Sequence, residues 1–150
     1  MKLSYGIPFF LFLGGIFFLV SCTKKEEISI IPEIAFISVT PASVTQFQDS
    51  LIFRISYKDG DGDLGENNDT VHNVFLTDSR NSVTYKYRLQ ELAPVASTIS
   101  IQGNVNIKLS SVGLLDEDAD QESASFLIYV KDRAGNSSNT VTSSVITITK

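Results

Sequence analysis

The chain has one cysteine, one histidine and no tryptophan, and each shortage removes a class of protein. A single cysteine forms no intramolecular disulfide, so neither a cystine nor a buried Trp can pin an antibody-like core. Packing must come from Phe, Tyr, Ile, Val and Leu. With no second histidine and no further thiol, a His/Cys zinc or copper cluster is ruled out. His72 alone beside an acidic loop is a conceivable metal ligand or pH modulator, but it reads first as a surface position on a strand. No G-x-S-x-G, H-E-x-x-H or phosphate-cradling glycine loop occurs, which removes the usual hydrolase and nucleotide-binding signatures. Carboxylate pairs exist, but they fall in loops of a small chain without a cleft deep enough to raise one pKa for glycosidic chemistry. Catalysis is not expected. Basic residues are also scarce: 12 Lys and Arg against 17 Asp and Glu give a net charge of −5, which argues against nucleic acid or an anionic membrane surface as partner. After residue 21 no stretch of ten or more residues sustains an i, i+3, i+4 apolar period, so essentially no helix is expected there.

The one long apolar run is N-terminal. Lys2 is followed by Ile7 to Val20 and then Ser21-Cys22. That run is short of the ~20 residues a membrane helix needs, and a basic start, an apolar core and small residues before a cut site describe a secretory signal peptide. The alternative is an uncleaved anchor helix. Leu19-Val20-Ser21-Cys22 resembles the lipobox of bacterial lipoproteins, in which the cysteine becomes the lipidated first residue. The resemblance implies lipidation at Cys22 and stable attachment to a membrane, since each buried acyl CH₂ contributes about 0.8 kcal/mol and more than one chain is attached. Cleavage after residue 21 removes Lys2 and no acid, so −5 becomes −6 over residues 22–150. Residues 22–33 read as a lipidated N terminus and linker. The eleven residues Thr23 to Glu33 reach at most about 40 Å, which keeps the folded part close to the bilayer. Lys25-Glu26-Glu27 also resembles the signal that sends some Gram-negative lipoproteins to the outer face of the outer membrane.

Residues 34–150 read as one all-β domain. From Ile34 the apolar period is two. It predicts strands over 34–39, 51–57, 71–77, 83–89, 99–109, 126–130 and 140–149, with Gly103 as a bulge or bend. Glu91-Leu92 and Leu114-Leu115 are candidates for short helical turns. Seven short strands in ~115 residues predict a two-sheet antiparallel sandwich. If each connection reverses the chain, the loop at 58–70 and the loop at 132–138 share one pole, and the loop carrying Asp116 to Glu122 lies at the other. Phe126 to Asn139, F-L-I-Y-V-K-D-R-A-G-N-S-S-N, resembles the corner between the last two strands of bacterial immunoglobulin-like and cadherin-like surface domains, and D-G-D-G-D-L-G resembles a feature of lipoprotein domains of that kind. The resemblance implies an immunoglobulin-like β-sandwich of about seven strands and a surface location, and no chemistry.

The stretch Tyr57 to Gly65, Y-K-D-G-D-G-D-L-G, places Asp59, Asp61 and Asp63 at every second residue. Two carboxylates about 5 Å apart repel by roughly 3 kcal/mol at an effective dielectric of ~20, so such a loop either stays wet or holds a cation. Ca²⁺ takes six to eight oxygens in a flexible shell, and glycines between aspartates let a tight loop turn three carboxylates inward. Leu64 in place of the turn glycine, Thr70 in place of the bidentate Glu and flanking strands exclude an EF-hand. If Ca²⁺ binds, Asp59, Asp61 and Asp63 supply the first ligands, with Asp69, Asn67 or Asp132 completing the set across loops. The alternative is a solvated turn in which Gly60, Gly62 and Gly65 merely permit positive φ. The second acidic run, Asp116 to Glu122, lacks such glycines and reads as a solvated loop. Asp49-Ser50-Leu51 and Asp69-Thr70-Val71 resemble short bacterial O-glycosylation sites. Tyr85 and Tyr87 with Phe75 could form an aromatic strip for sugars, although their period makes them core residues first. The expectation is a lipid-anchored outer-membrane binding or adhesion module with a Ca²⁺-stabilised pole, facing an envelope protein or a surface glycan. The alternative is a structural or accessory subunit of an envelope complex packed through a sheet edge, with a carbohydrate-active enzyme a distant third.

Overall fold

A computed structural model describes Met1 and residues 28–94 and 98–150. The expected signal peptide, Cys22 and the first part of the linker lie outside the described residues. Within them the chain is all-β, with ten strands and no helix: β1 (Glu33–Thr40), β2 (Ser43–Thr45), β3 (Leu51–Asp59), β4 (Val74–Asp78), β5 (Thr84–Tyr87), β6 (Ile101–Leu109), β7 (Gln121–Ala124), β8 (Phe126–Val130), β9 (Val141–Thr142) and β10 (Ile146–Thr149). Neither Glu91-Leu92 nor Leu114-Leu115 forms a helical turn.

One sheet has the order β1-β3-β6, and the others are β5-β4-β8-β9 and β2-β10-β7. Because β7 leads into β8 across Ser125 and β9 into β10 across Ser143 to Val145, the last two sheets are successive halves of one layer facing the first. Period two explains the packing. Leu51, Phe53 and Ile55 of β3 are fully buried, as are Phe126, Ile128 and Val130 of β8, and the Phe53 and Phe126 rings meet edge to face at 5.0 Å across the sandwich. Such edge-to-face pairs avoid stacking the negative ring faces.

Four departures from the expected strands have local causes. The first strand ends before Pro41 as expected, but a further short strand follows it: beyond Pro41, which has no N–H for a ladder, the chain changes sheets and β2 pairs in parallel with β10. The strand expected from Val71 starts at Val74 because the buried Asn73 substitutes its side chain, accepting from the Leu89 N–H at 2.6 Å and donating to the Leu89 carbonyl at 3.1 Å. The last strand breaks at Ser143, whose buried hydroxyl accepts from the Phe126 N–H at 2.9 Å. Gly103 is not a bulge. The β3–β6 register runs unbroken from Leu51↔Leu109 to Asp59↔Ile101, and the register shift lies in β1 between Phe36 and Ser38. Glycine fits at 103 because the Tyr57 ring covers it: a Cβ there would stand 2.8 Å from the Tyr57 hydroxyl.

The β3–β6 register also defines the poles. Leu51 and Leu109 mark one end, and Asp59 and Ile101 mark the other. The acidic run lies at the Leu109 end, opposite the aspartate loop. Glu122, at its close, is a strand residue of β7 and accepts from the Leu115 and Asp116 N–H groups. These backbone donors, with Arg80, hold its carboxyl below the usual range. Arg80 lies 2.6 Å from both Asp78 and Glu122, closing this pole with a largely covered ion network.

Candidate metal centre

The alternation that buries Leu51, Phe53 and Ile55 continues to Asp59, so a carboxylate occupies the place of the next core residue. Asp59 is 0% exposed. Its Oδ2 accepts from the Leu64 N–H at 2.8 Å, whereas its Oδ1 is buried and has no hydrogen-bond partner. Asp61 and Asp63 follow in the loop, and each also carries a buried Oδ1 without a partner. One oxygen from each of the three carboxylates fits within a 4.8 Å span.

Buried polar atoms are paired in the great majority of cases, so three orphans on one loop require a cause. Burial pushes the Asp59 carboxyl up to about 6 from its ordinary 3.8, against the Leu64 hydrogen bond, and Asp61 and Asp63 add to the rise. Asp63 is also raised, first by burial and then by the charge of Asp132, while the Ala134 N–H and Arg133 oppose the change. These shifts follow from charges taken out of water with no countercharge close enough to repay the cost.

Three segments cover the loop, and its glycines admit them. Gly62 and Gly65 have φ of +73° and +100°. A Cβ on Gly62 would lie 2.3 Å from the Ile99 carbonyl oxygen, and one on Gly65 2.3 Å from that of Gln90. Gly60 is not at positive φ; its Cβ would instead strike the Ile28 carbonyl oxygen at 2.3 Å.

The β8–β9 connection reaches the same pole. Leu64 and Asp132 form an isolated antiparallel bridge, the Ala134 N–H donates to Asp63 Oδ2 at 3.0 Å, and the Arg133 guanidinium donates to the Gly65 carbonyl at 3.0 Å. Asp132 is buried at the edge of the cluster, but both its oxygens accept from Asn136, at 2.7 and 2.8 Å. Asp69 is not brought in: its side chain is 88% exposed and pairs with Arg88 at 2.9 Å. Asn67 is exposed and bonded to Glu91. His72 is exposed and precedes β4, so it lies in a loop, not on a strand.

The aromatic strip divides between the faces of its sheet. Tyr85 and Tyr87 are half-buried and pack on the core, while Phe75 faces outward and stacks on Tyr129 at 4.6 Å and 8°. Comparison with protein-family models, curated proteins and solved structures finds no match.

Proposed function

We propose that the chain is a non-catalytic, lipid-anchored outer-membrane module of the bacterial immunoglobulin-like kind, in which Asp59, Asp61 and Asp63 bind Ca²⁺ and hold the loops of one pole, leaving the rest of the sandwich to bind a surface partner. One observation carries the metal reading: Asp59, Asp61 and Asp63 each hold a buried oxygen without a hydrogen-bond partner, in carboxylates that bring one oxygen apiece within 4.8 Å of one another. A hard dication is the ligand that such a set favours, and flexible loop carboxylates with nearby backbone carbonyls suit Ca²⁺ better than the strict octahedron of Mg²⁺. Asp132 supports the pole by raising the negative potential. Attachment through Cys22 rests on the lipobox resemblance.

Calorimetric titration of the chain with Ca²⁺ tests the site. Saturable binding, abolished by Asp61→Asn and Asp63→Asn together, is expected. Absence of heat at millimolar Ca²⁺ with no change in melting would overturn it. Protease treatment of intact cells tests the location: release of the domain is expected, and full protection would place it in the periplasm. A second reading, an accessory subunit joined through a sheet edge, is favoured by the nine-residue β6, which among the described residues pairs only with β3. Crosslinking in cells from β6 to another envelope protein would support it.

A further inference from the structure

The segment leading into the domain lies across the aspartate loop. The Gly60 N–H, between Asp59 and Asp61, donates to the Ser29 carbonyl at 2.8 Å. This segment excludes a side chain at 60, since a Cβ would stand 2.3 Å from the Ile28 carbonyl oxygen and 2.7 Å from that of Ser29. The Ser29 hydroxyl accepts from the Ile31 N–H at 3.0 Å, Pro32 is buried, and β1 begins at Glu33 opposite Lys58. Residues 28–32 therefore enter the sandwich at the pole of the three aspartates, one peptide away from two of them.

From this contact we infer that cation binding at Asp59, Asp61 and Asp63 and docking of residues 28–32 on the loop form one coupled equilibrium, so that Ca²⁺ stiffens the joint between the domain and its N-terminal tether. The inference rests on the calcium reading above. The Gly60 peptide meets Ser29 in a loop that gathers the flanking carboxylates, and without a countercharge ionised carboxylates so close repel and work against that arrangement. A bound cation removes the repulsion and fixes the peptide that receives the tether. Coupling is reciprocal: whatever factor Ca²⁺ adds to tether docking, docking adds to Ca²⁺ affinity. The aspartate pole thereby becomes the end nearest the tether, and the pole of Leu51 and Leu109 the far end.

Hydrogen exchange of the full chain in non-ionic detergent, with 2 mM Ca²⁺ or with chelator, tests the coupling. The amide of Ile31, which donates to the Ser29 hydroxyl, is expected to exchange about tenfold more slowly with Ca²⁺, within the usual range of coupling factors, while those of Gln46 and Phe47 at the far pole are unchanged. Gly60→Ala, which leaves every carboxylate in place, is expected to bind Ca²⁺ about tenfold more weakly and to lose the slowing. If the wild-type chain binds Ca²⁺ and the Ile31 amide exchanges equally in both conditions, the coupling is wrong and the calcium site stands. If no Ca²⁺ binds, both fall. The wild-type comparison decides the matter even if Gly60→Ala does not fold.

Discussion

Replacing Asp59 by asparagine should change stability in opposite directions with and without calcium. Asp59 is wholly buried, and its carboxyl is raised from 3.8 to about 6 chiefly by that burial. A raised acid binds its proton more tightly in the folded state. The stability it contributes is therefore fully present below about pH 4 and is lost as the pH climbs through about 6. Above that, the ionised carboxylate costs the metal-free fold on the order of 3 kcal/mol. Asp59→Asn removes the charge and keeps an acceptor for the Leu64 N–H, whose bond to the carboxylate is already counted in the raised pKa. In chelator at pH 7.5 the variant should be about 3 kcal/mol more stable than the wild type, and nearly level with it at pH 4. With Ca²⁺ at about 1,000 times Kd the wild type gains about 4.1 kcal/mol, roughly 15 °C in Tm for a domain of this size. The variant should gain little, and the order should reverse. Thermal melts of both proteins in chelator and in Ca²⁺, at pH 4, 6 and 7.5, measure all of this. A variant less stable than the wild type in chelator at pH 7.5 would show that the carboxylate is a structural acceptor and would refute the reasoning.

Three further outcomes follow from the same structure. Arg80→Ala should destabilise the fold by about 3 kcal/mol in urea melts, because it strands Asp78, which is only 1% exposed, without its countercharge. Gly62→Ala should cost well over 2 kcal/mol, since it combines φ +73° with a Cβ placed 2.3 Å from the Ile99 carbonyl oxygen; Gly135→Ala, at φ +93° with nothing within 4 Å, should cost only the ~1 to 2 kcal/mol of the left-handed backbone. Asp69→Ala should leave Ca²⁺ affinity within about twofold in titration and stability within ~0.5 kcal/mol, because the pair it makes with Arg88 is exposed.

Much of the candidate site was legible in the residues. The period that buries Leu51, Phe53 and Ile55 also assigns Asp59 to the core face, and alternation of Asp with Gly marks a loop able to turn carboxylates inward. Chain reversal at each connection is enough to bring the loop at 132–138 to the same end, where Leu64 and Asp132 pair. Asp69 shows the limit of such reasoning. Its spacing suits a ligand, yet Arg88, 19 positions later, draws it outward, and no local pattern encodes that pairing. The tether is the other case: Ser29 has no motif, and its contact with Gly60 arises because β1 runs antiparallel to β3 and so returns the N terminus to the aspartate pole.

The sequence alone determined that the chain is all-β and which face of each main strand turns inward, because side chains alternate strictly along extended backbone. It also determined that three carboxylates share one loop. The tertiary structure decided that Asp59 is fully buried and that Asp61 and Asp63 each hide one oxygen, since that cover depends on Ile28, Ile99 and Gln90, from distant parts of the chain, closing over three glycines. It also decided which acids remain in solvent, because a long-range ion pair or a covering segment is a matter of sheet order and not of spacing.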